Sequence, residues 1–286
     1  MVIADVIHDI ESTAYTLASD KDKAIEIIHN EWENILKYIE SGKEKDLFKQ
    51  LEKSTEVLSH IKLHTPLNKA KVISLIGEIY VRREEFSRGD LVESLRKKGF
   101  VVKTAPITEY VYYSNYMIIH GNIKAESFKE RIKILIKDKF QRMLERKIKD
   151  ILSKSGLVSS DLISIEKTIE YGSKMISEEL IGESILTAGL ALREILDDSC
   201  GIISIGPFNC MPSRLSESIL NKEMTLEGKY KFGNLKRNGY PKELSNLPFL
   251  YVETDGNAFP QITQSKIEIF MLQAEKLHKL MESRSK

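Results

Sequence analysis

Over the first sixty positions apolar residues recur at helical spacing, with Ile3, Val6, Ile7 and Ile10 on one face and Ile25, Ile28, Trp32, Ile35, Leu36 and Ile39 on another. Ser19 and Asp20 are placed to cap the second helix and Gly42 to end it. A third helix is expected over 44–60, before His64, Thr65 and Pro66 close the segment. Residues 1–66 therefore read as an α-helical leader. Its apolar stripes need something to pack against, either a following sheet or another domain.

From Lys71 the pattern changes to short apolar runs ended by Gly or Pro: VISLIGEIYV (72–81), FVVKTAP (100–106), GIISIGP (201–207) and FLYVETDG (249–256). They are rich in β-branched residues and only weakly alternating, as expected of parallel strands covered on both faces. GDLVESLRKKG (89–99) between the first two predicts a helix, which makes a βαβ unit. The long connection to the third strand predicts helices over 107–120, 127–153 and 177–197. The second of these has Phe128, Ile132, Leu135, Ile136, Phe140, Met143, Leu144, Ile148 and Leu152 along its buried side. A helix opening with Pro212 follows the third strand, residues 222–247 read as an insertion containing Tyr230, Phe232 and Tyr240, and a helix over 261–281 closes the chain.

The fold expected is α/β: a Rossmann-like four-stranded parallel sheet flanked by helices, with the N-terminal leader (1–66) and a large helical insertion between strands 2 and 3. Residues 67–286 form the α/β domain.

Composition narrows the function. Lys and Arg (43) nearly balance Asp and Glu (42), so no global field selects nucleic acid or an anionic membrane. Two cysteines in 286 residues are no disulfide framework, no apolar run reaches a membrane span, and MVIADVIHDIEST lacks a secretory signal's pattern. The expectation is a cytoplasmic protein with no nucleic-acid or membrane partner. No GxxxxGK[ST], GxGxxG or GxSxG occurs, and the six histidines form no metal pattern with the cysteines.

In an open parallel sheet the ligand crevice lies outside the carboxyl ends of the strands. The loops there carry Glu78, Arg82 and Arg83; Thr108 and Glu109; Asn209 and Cys210; and Glu253, Asp255 and Asn257. Cys210 in GPFNCMP stands just before a helix N-terminus, whose dipole favours thiolate, the form that ligates soft metals or attacks electrophiles. Cys200, at the other end of the same strand, reads as ordinary burial. Loop solvation or capping explains Glu78, Glu253 and Asp255 as readily as catalysis does, and surface ion pairing explains Arg82 and Arg83 as readily as an anionic ligand.

GEIYVRREEFSRGDLVESLRKKGFVVKTAPITEYVYY, GESILTAG, GPFNCMPSRLSESIL and FLYVETDGNAFPQITQSKIEIFMLQA, in this order, resemble the C-terminal region of the activase-like proteins related to 2-hydroxyacyl-CoA dehydratases. The resemblance spans essentially the whole chain. It implies Rossmann-like domains that hold a [4Fe-4S] or double-cubane iron-sulfur cluster used in low-potential electron transfer, with Cys210 as one iron ligand. It further implies an upstream domain or partner subunit carrying the other cluster cysteines, an ATP-dependent activase module and an acyl-CoA substrate, with Glu78, Glu253 and Asp255 as candidate catalytic residues. Because this chain has neither the other cluster cysteines nor the ATP-binding modules, it reads as a fragment, a truncated reading frame or one half of a split protein. It is expected to be inactive and cluster-free alone, with exposed apolar surface where the preceding domain docks. The alternatives are a non-catalytic interaction domain and a metal-free small-molecule binder.

Overall fold

A computed structural model describes residues 1–42, 44–125, 127–232 and 244–284. Its elements run α1 (Val2–Leu17), α2 (Lys21–Ser41), α3 (Glu44–Leu58), β1 (Lys71–Gly77), α4 (Glu85–Arg88), α5 (Leu91–Lys97), β2 (Phe100–Thr104), α6 (Ile107–His120), α7 (Phe128–Leu152), α8 (Ile165–Gly172), α9 (Ser184–Glu194), β3 (Gly201–Pro207), α10 (Met211–Glu223), α11 (Leu226–Phe232), β4 (Phe249–Thr254) and α12 (Gln261–Arg284). Two compact units result. The first joins residues 1–70 to 106–163, and the second joins 71–105 to 164–286.

The first unit is helical. Ile3, Val6, Ile7 and Ile10 of α1, Ile28 and Ile35 of α2 and Leu51 and Leu58 of α3 form one core with Ile148, Ile151 and Leu152 of α7. Asp20 caps α2 by accepting from the Lys23 amide at 3.2 Å, and Gly42 ends it in the left-handed region at φ 66°. Asp5 ties α1 to α6, accepting from the amides of Ile107 (3.1 Å) and Thr108 (3.0 Å) and from the Thr108 hydroxyl (2.6 Å). Asn115 of α6 donates to Asp138 and Gln141 of α7.

The apolar stripe expected to be buried along the whole of α7 is buried only at its end. Phe128 is 76% exposed and Ile136 63%, and Ile132, Leu135, Phe140 and Met143 are exposed as well. Periodicity marks the stripe, but what covers it depends on neighbours outside the helix, and the first half of α7 meets α6 through the polar Asn115–Asp138 side.

The second unit holds the sheet, all parallel, in the order β2-β1-β3-β4. Ser74 and Lys103 reach Glu194 of α9, whereas Ile73 lies beside Gly201 and Phe270 of α12. Neighbouring side chains on a strand point to opposite faces, so α9 and α12 cover opposite sides. Coverage on both sides explains why β1 and β3 read as continuous apolar runs. Glu194 is a buried hub. Burial by itself raises its carboxyl, but the Lys103 and Arg193 cations and the Ser74 hydroxyl outweigh burial and hold it below the ordinary carboxylate range.

Three expected boundaries shift. The first strand stops at Gly77 rather than 81, because Gly77 takes φ 110° and the chain turns. The helix expected over 177–197 forms only as α9, after a turn in which Gly182 has φ 146°. In the region read as an insertion α10 ends at Glu223 and α11 follows, while Tyr240 lies outside the described residues. Among the described residues no helix is long and apolar enough to cross a membrane.

Candidate functional site

Strand order reverses at β1: the chain passes from it to β2 on one side and later to β3 on the other. The crevice expected of such a sheet therefore opens between the carboxyl ends of β1 and β3. Their backbones converge there, the Glu78 amide donating to the Ile205 carbonyl at 2.9 Å. A Cβ on Gly77 would press on that carbonyl oxygen and lie 2.7 Å from the Ile205 nitrogen, so only glycine fits.

Beyond β3 the chain turns through Asn209, whose φ of 59° is left-handed and suits asparagine better than most side chains. The Asn209 amide donates to Glu253 Oε1 at 2.9 Å. Cys210 is the N-cap of α10, partly exposed, and its side chain makes no capping hydrogen bond. Its carbonyl accepts from the Arg214 amide at 2.9 Å, which fixes the first turn. Behind it, Ser213 is buried against Gly206, where an added Cβ would come within 2.7 Å of the Ser213 Cβ and 3.2 Å of the Tyr251 hydroxyl. Tyr251 has no hydrogen-bond partner for its hydroxyl. Burial first, then the nearby Glu253 and Glu217 carboxylates, push that phenol up to about 12. Arg214 stands 5.8 Å from its ring centre and pairs with Glu217 at 2.8 Å. Cys210 thus stands at a helix end near the Tyr251 phenol and the carboxyl groups of Glu253 and Glu217.

At the end of β1, Glu78 Oε2 accepts from the amides of Tyr80 (3.1 Å) and Val81 (2.8 Å), which locks the turn. Glu183, at the N-cap of α9, accepts from the Ile79 amide at 3.2 Å; burial, and then the Glu78 charge, raise its carboxyl above the usual range. The Ser184 hydroxyl donates to the Pro212 carbonyl at 2.9 Å, joining this corner to the start of α10. Arg82 is buried and donates to the Gly77 carbonyl at 3.0 Å, while Arg83 donates to the carbonyls of Thr104 and Ala105. Both arginines brace strand ends.

Of the sequence candidates, Cys210, Asn209 and Glu253 meet in one loop cluster. Glu78 lies at the neighbouring strand end. Asp255 accepts from the amide (3.0 Å) and side-chain nitrogen (2.9 Å) of Asn257, so this exposed pair builds its own turn. Thr108 and Glu109 belong to the first unit, where the Thr108 hydroxyl is taken up by Asp5. Cys200 is buried, its thiol pushed up to about 12 chiefly by desolvation and its Sγ 3.2 Å from the Val72 carbonyl.

Two features escaped the sequence. Tyr251 sits in a strand run that reads as core, and only the register beside β3 brings its hydroxyl to Cys210's loop. A groove of about 1300 Å³ runs beside α4, α5 and α12, lined by Phe86, Leu91, Phe100, Phe259 and Met271 and by charges of both signs, among them Lys71, Lys97, Glu85 and Glu275. Its rim is a double aromatic-on-glycine contact, with Phe86 over Gly256 and Phe259 over Gly89.

The thiol of Cys210 suits one iron of a cluster. Among the described residues, however, no group of three or more His, Cys, Asp and Glu side chains could hold a metal ion, and Cys200 is a buried thiol at the opposite end of β3. The donors present fit one ligand position, not a whole cluster. Comparison with protein-family models, with curated proteins and with solved structures returned no match.

Proposed function

We propose that this chain is the C-terminal, cytoplasmic part of an iron-sulfur electron-transfer system related to 2-hydroxyacyl-CoA dehydratases and their activases, in which Cys210 supplies one cluster ligand. The observation that carries the reading is the placement of Cys210: a partly exposed thiol at the N-terminus of α10, on the carboxyl edge of the sheet next to the strand-order reversal. The motifs around it supply the family resemblance. Glu253 holds the Asn209–Cys210 turn, and Tyr251 offers a neutral hydroxyl beside it, the kind of donor that tunes a thiolate ligand. The remaining ligands come from an upstream domain or partner subunit, and the exposed apolar residues of α7 support a docked neighbour of that kind. Electron supply falls to an ATP-dependent activase module and the acceptor is an acyl-CoA. Glu78 and Asp255 act in the turns they cap, and Glu253 positions the ligand loop.

The test is anaerobic purification of the tagged chain with its associated proteins from its own host, as wild type and as Cys210→Ala. Loss of iron and of the cluster EPR signal in the variant is expected. Equal iron content and an unchanged signal in both would sink the ligand assignment.

The groove beside α4, α5 and α12 favours a second reading, a metal-free small-molecule binder. Its apolar wall suits an apolar molecule, while its lysines stand beside Glu85, Asp90, Glu268 and Glu275 and leave no net preference for an anionic head. Octanol is then expected to raise the melting temperature of the wild type and not of Phe86→Ala, with Cys210→Ala responding as wild type does.

A further inference from the structure

The segment RREEFSR, which leads from β1 into α4, carries three of the four arginines between positions 82 and 96, and one of them is unbalanced. Arg88 is 5% exposed, yet its Nε and Nη1 have no hydrogen-bond partner. Its nearest acid, Glu85, has Oε1 at 3.9 Å from Nη2, beyond hydrogen-bond reach, and is itself 93% exposed, so water screens it. The other local acid, Glu84, spends its carboxylate on the amides of Phe86 and Ser87. Two further guanidinium groups, Arg96 and Arg83, lie close enough to oppose the Arg88 charge, and burial weakens it most.

The carboxyl end of β2, where Arg83 donates to the Thr104 carbonyl, adds a second open donor. Lys103 points to α9, so Thr104 must point to the other face of β2, the α5 side, and its buried Oγ1 also lacks a partner. A buried guanidinium with open donors is costly unless something anionic meets it, and natural structures rarely leave such groups unmet.

We propose that the carboxyl end of β2 beneath α4 is a phosphate-binding site, in which Arg88 is the central ligand and Arg83, Arg96 and the Thr104 hydroxyl surround it. Arginine's planar fork matches phosphate oxygens, and the open donors of Arg88 and Thr104 are the groups left to meet them. The site lies two strands from β3, about 10 Å across the sheet from the Cys210 edge, and it rests on neither functional reading above. It gives the chain a recognition point for a phosphorylated ligand, separate from any metal.

The experiment is a thermal melt of the full chain in inorganic phosphate, in glycerol phosphate and in sodium chloride at matched ionic strength, for wild type and Arg88→Met. The wild-type melting temperature is expected to climb by a similar step for each roughly tenfold rise in phosphate above saturation, with no such climb in chloride. Arg88→Met is expected to lose the response while melting no lower than wild type in the absence of phosphate, since it removes an uncompensated buried charge. A larger response to glycerol phosphate identifies an esterified ligand, and an equal one identifies the free ion. No phosphate-specific shift in the wild type, or a shift retained in Arg88→Met, overturns the proposal. Should Arg88→Met fail to fold, ³¹P line broadening of phosphate by the wild type and a roughly tenfold weaker affinity in Arg96→Gln carry the test, and an unbroadened line overturns it.

Discussion

Gly77→Ala is the sharpest perturbation of the carboxyl edge. The added methyl meets two penalties at once. At φ 110° an L side chain is strained by roughly 1–3 kcal/mol, and the Cβ is driven into the Ile205 backbone, where no rotamer can give way. Parting β1 from β3 to relieve that overlap costs about 1–3 kcal/mol in packing and about 1 kcal/mol for the Glu78–Ile205 hydrogen bond. The sum, about 3–7 kcal/mol, is comparable with the whole stability of a typical domain, about 5–15 kcal/mol. Trp32 lies in the first unit and is the sole tryptophan, so its fluorescence does not report on the sheet. The assay is therefore labelling of the buried Cys200 thiol in a Cys210→Ser background, which reads opening of the second unit. Labelling is expected to accelerate roughly a hundredfold or more, at about 1.4 kcal/mol per tenfold when opening is in rapid equilibrium. Gly42→Ala is the control: it is also left-handed, at φ 66°, but nothing lies within 4 Å of the new methyl, so about 1 kcal/mol is expected. Equal effects of the two substitutions on the stability of their own units, or a Gly77→Ala cost under about 1 kcal/mol, would refute the crowding argument.

The two cysteines should separate cleanly in native protein, with one thiol alkylated promptly and assigned to Cys210 by peptide mapping, and Cys200 reacting only after denaturation. Prompt labelling at Cys200 would contradict its burial. Glu194→Ala, which takes the carboxylate from Lys103 and Arg193 and the acceptor from the buried Ser74 hydroxyl, is expected to cost about 1–3 kcal/mol by chemical denaturation. Because the folded-state pKa of Glu194 is depressed, its contribution is present above the unfolded carboxyl value near 4.5 and disappears as pH falls through the folded value; the gap between wild type and Glu194→Gln should therefore shrink in acid. Glu183 has the opposite sign. Its raised carboxyl favours the fold while protonated and loses that advantage as pH rises through the folded value, so Glu183→Gln should stabilise at neutral pH and converge on wild type in acid. Equal stability of the two proteins at neutral pH would show that the Glu78–Glu183 repulsion is relieved.

The period of the apolar residues was enough to determine the kinds of element and their order. Strands at β1 to β4 and helices at α1, α6 and α12 follow from local spacing, because a side chain's face depends only on the repeat of its own segment. Cys210's position before a helix was legible for the same reason, since Pro212 and the apolar run of β3 bracket it. What the sequence could not give was pairing. The order β2-β1-β3-β4 puts β1 between strands far apart in the chain, and that non-local choice creates the crevice, brings Glu253 to the Asn209 amide and sets Tyr251 behind Cys210. The groove rim joins glycines and phenylalanines far apart in the sequence, and the open donors of Arg88 arise only once burial has removed water and left Glu85 beyond hydrogen-bond reach. The stripe on α7 is the converse case. Its apolar spacing is plain in the sequence, but burial is a property of whatever packs against a surface, and tertiary structure leaves the first half of that stripe exposed.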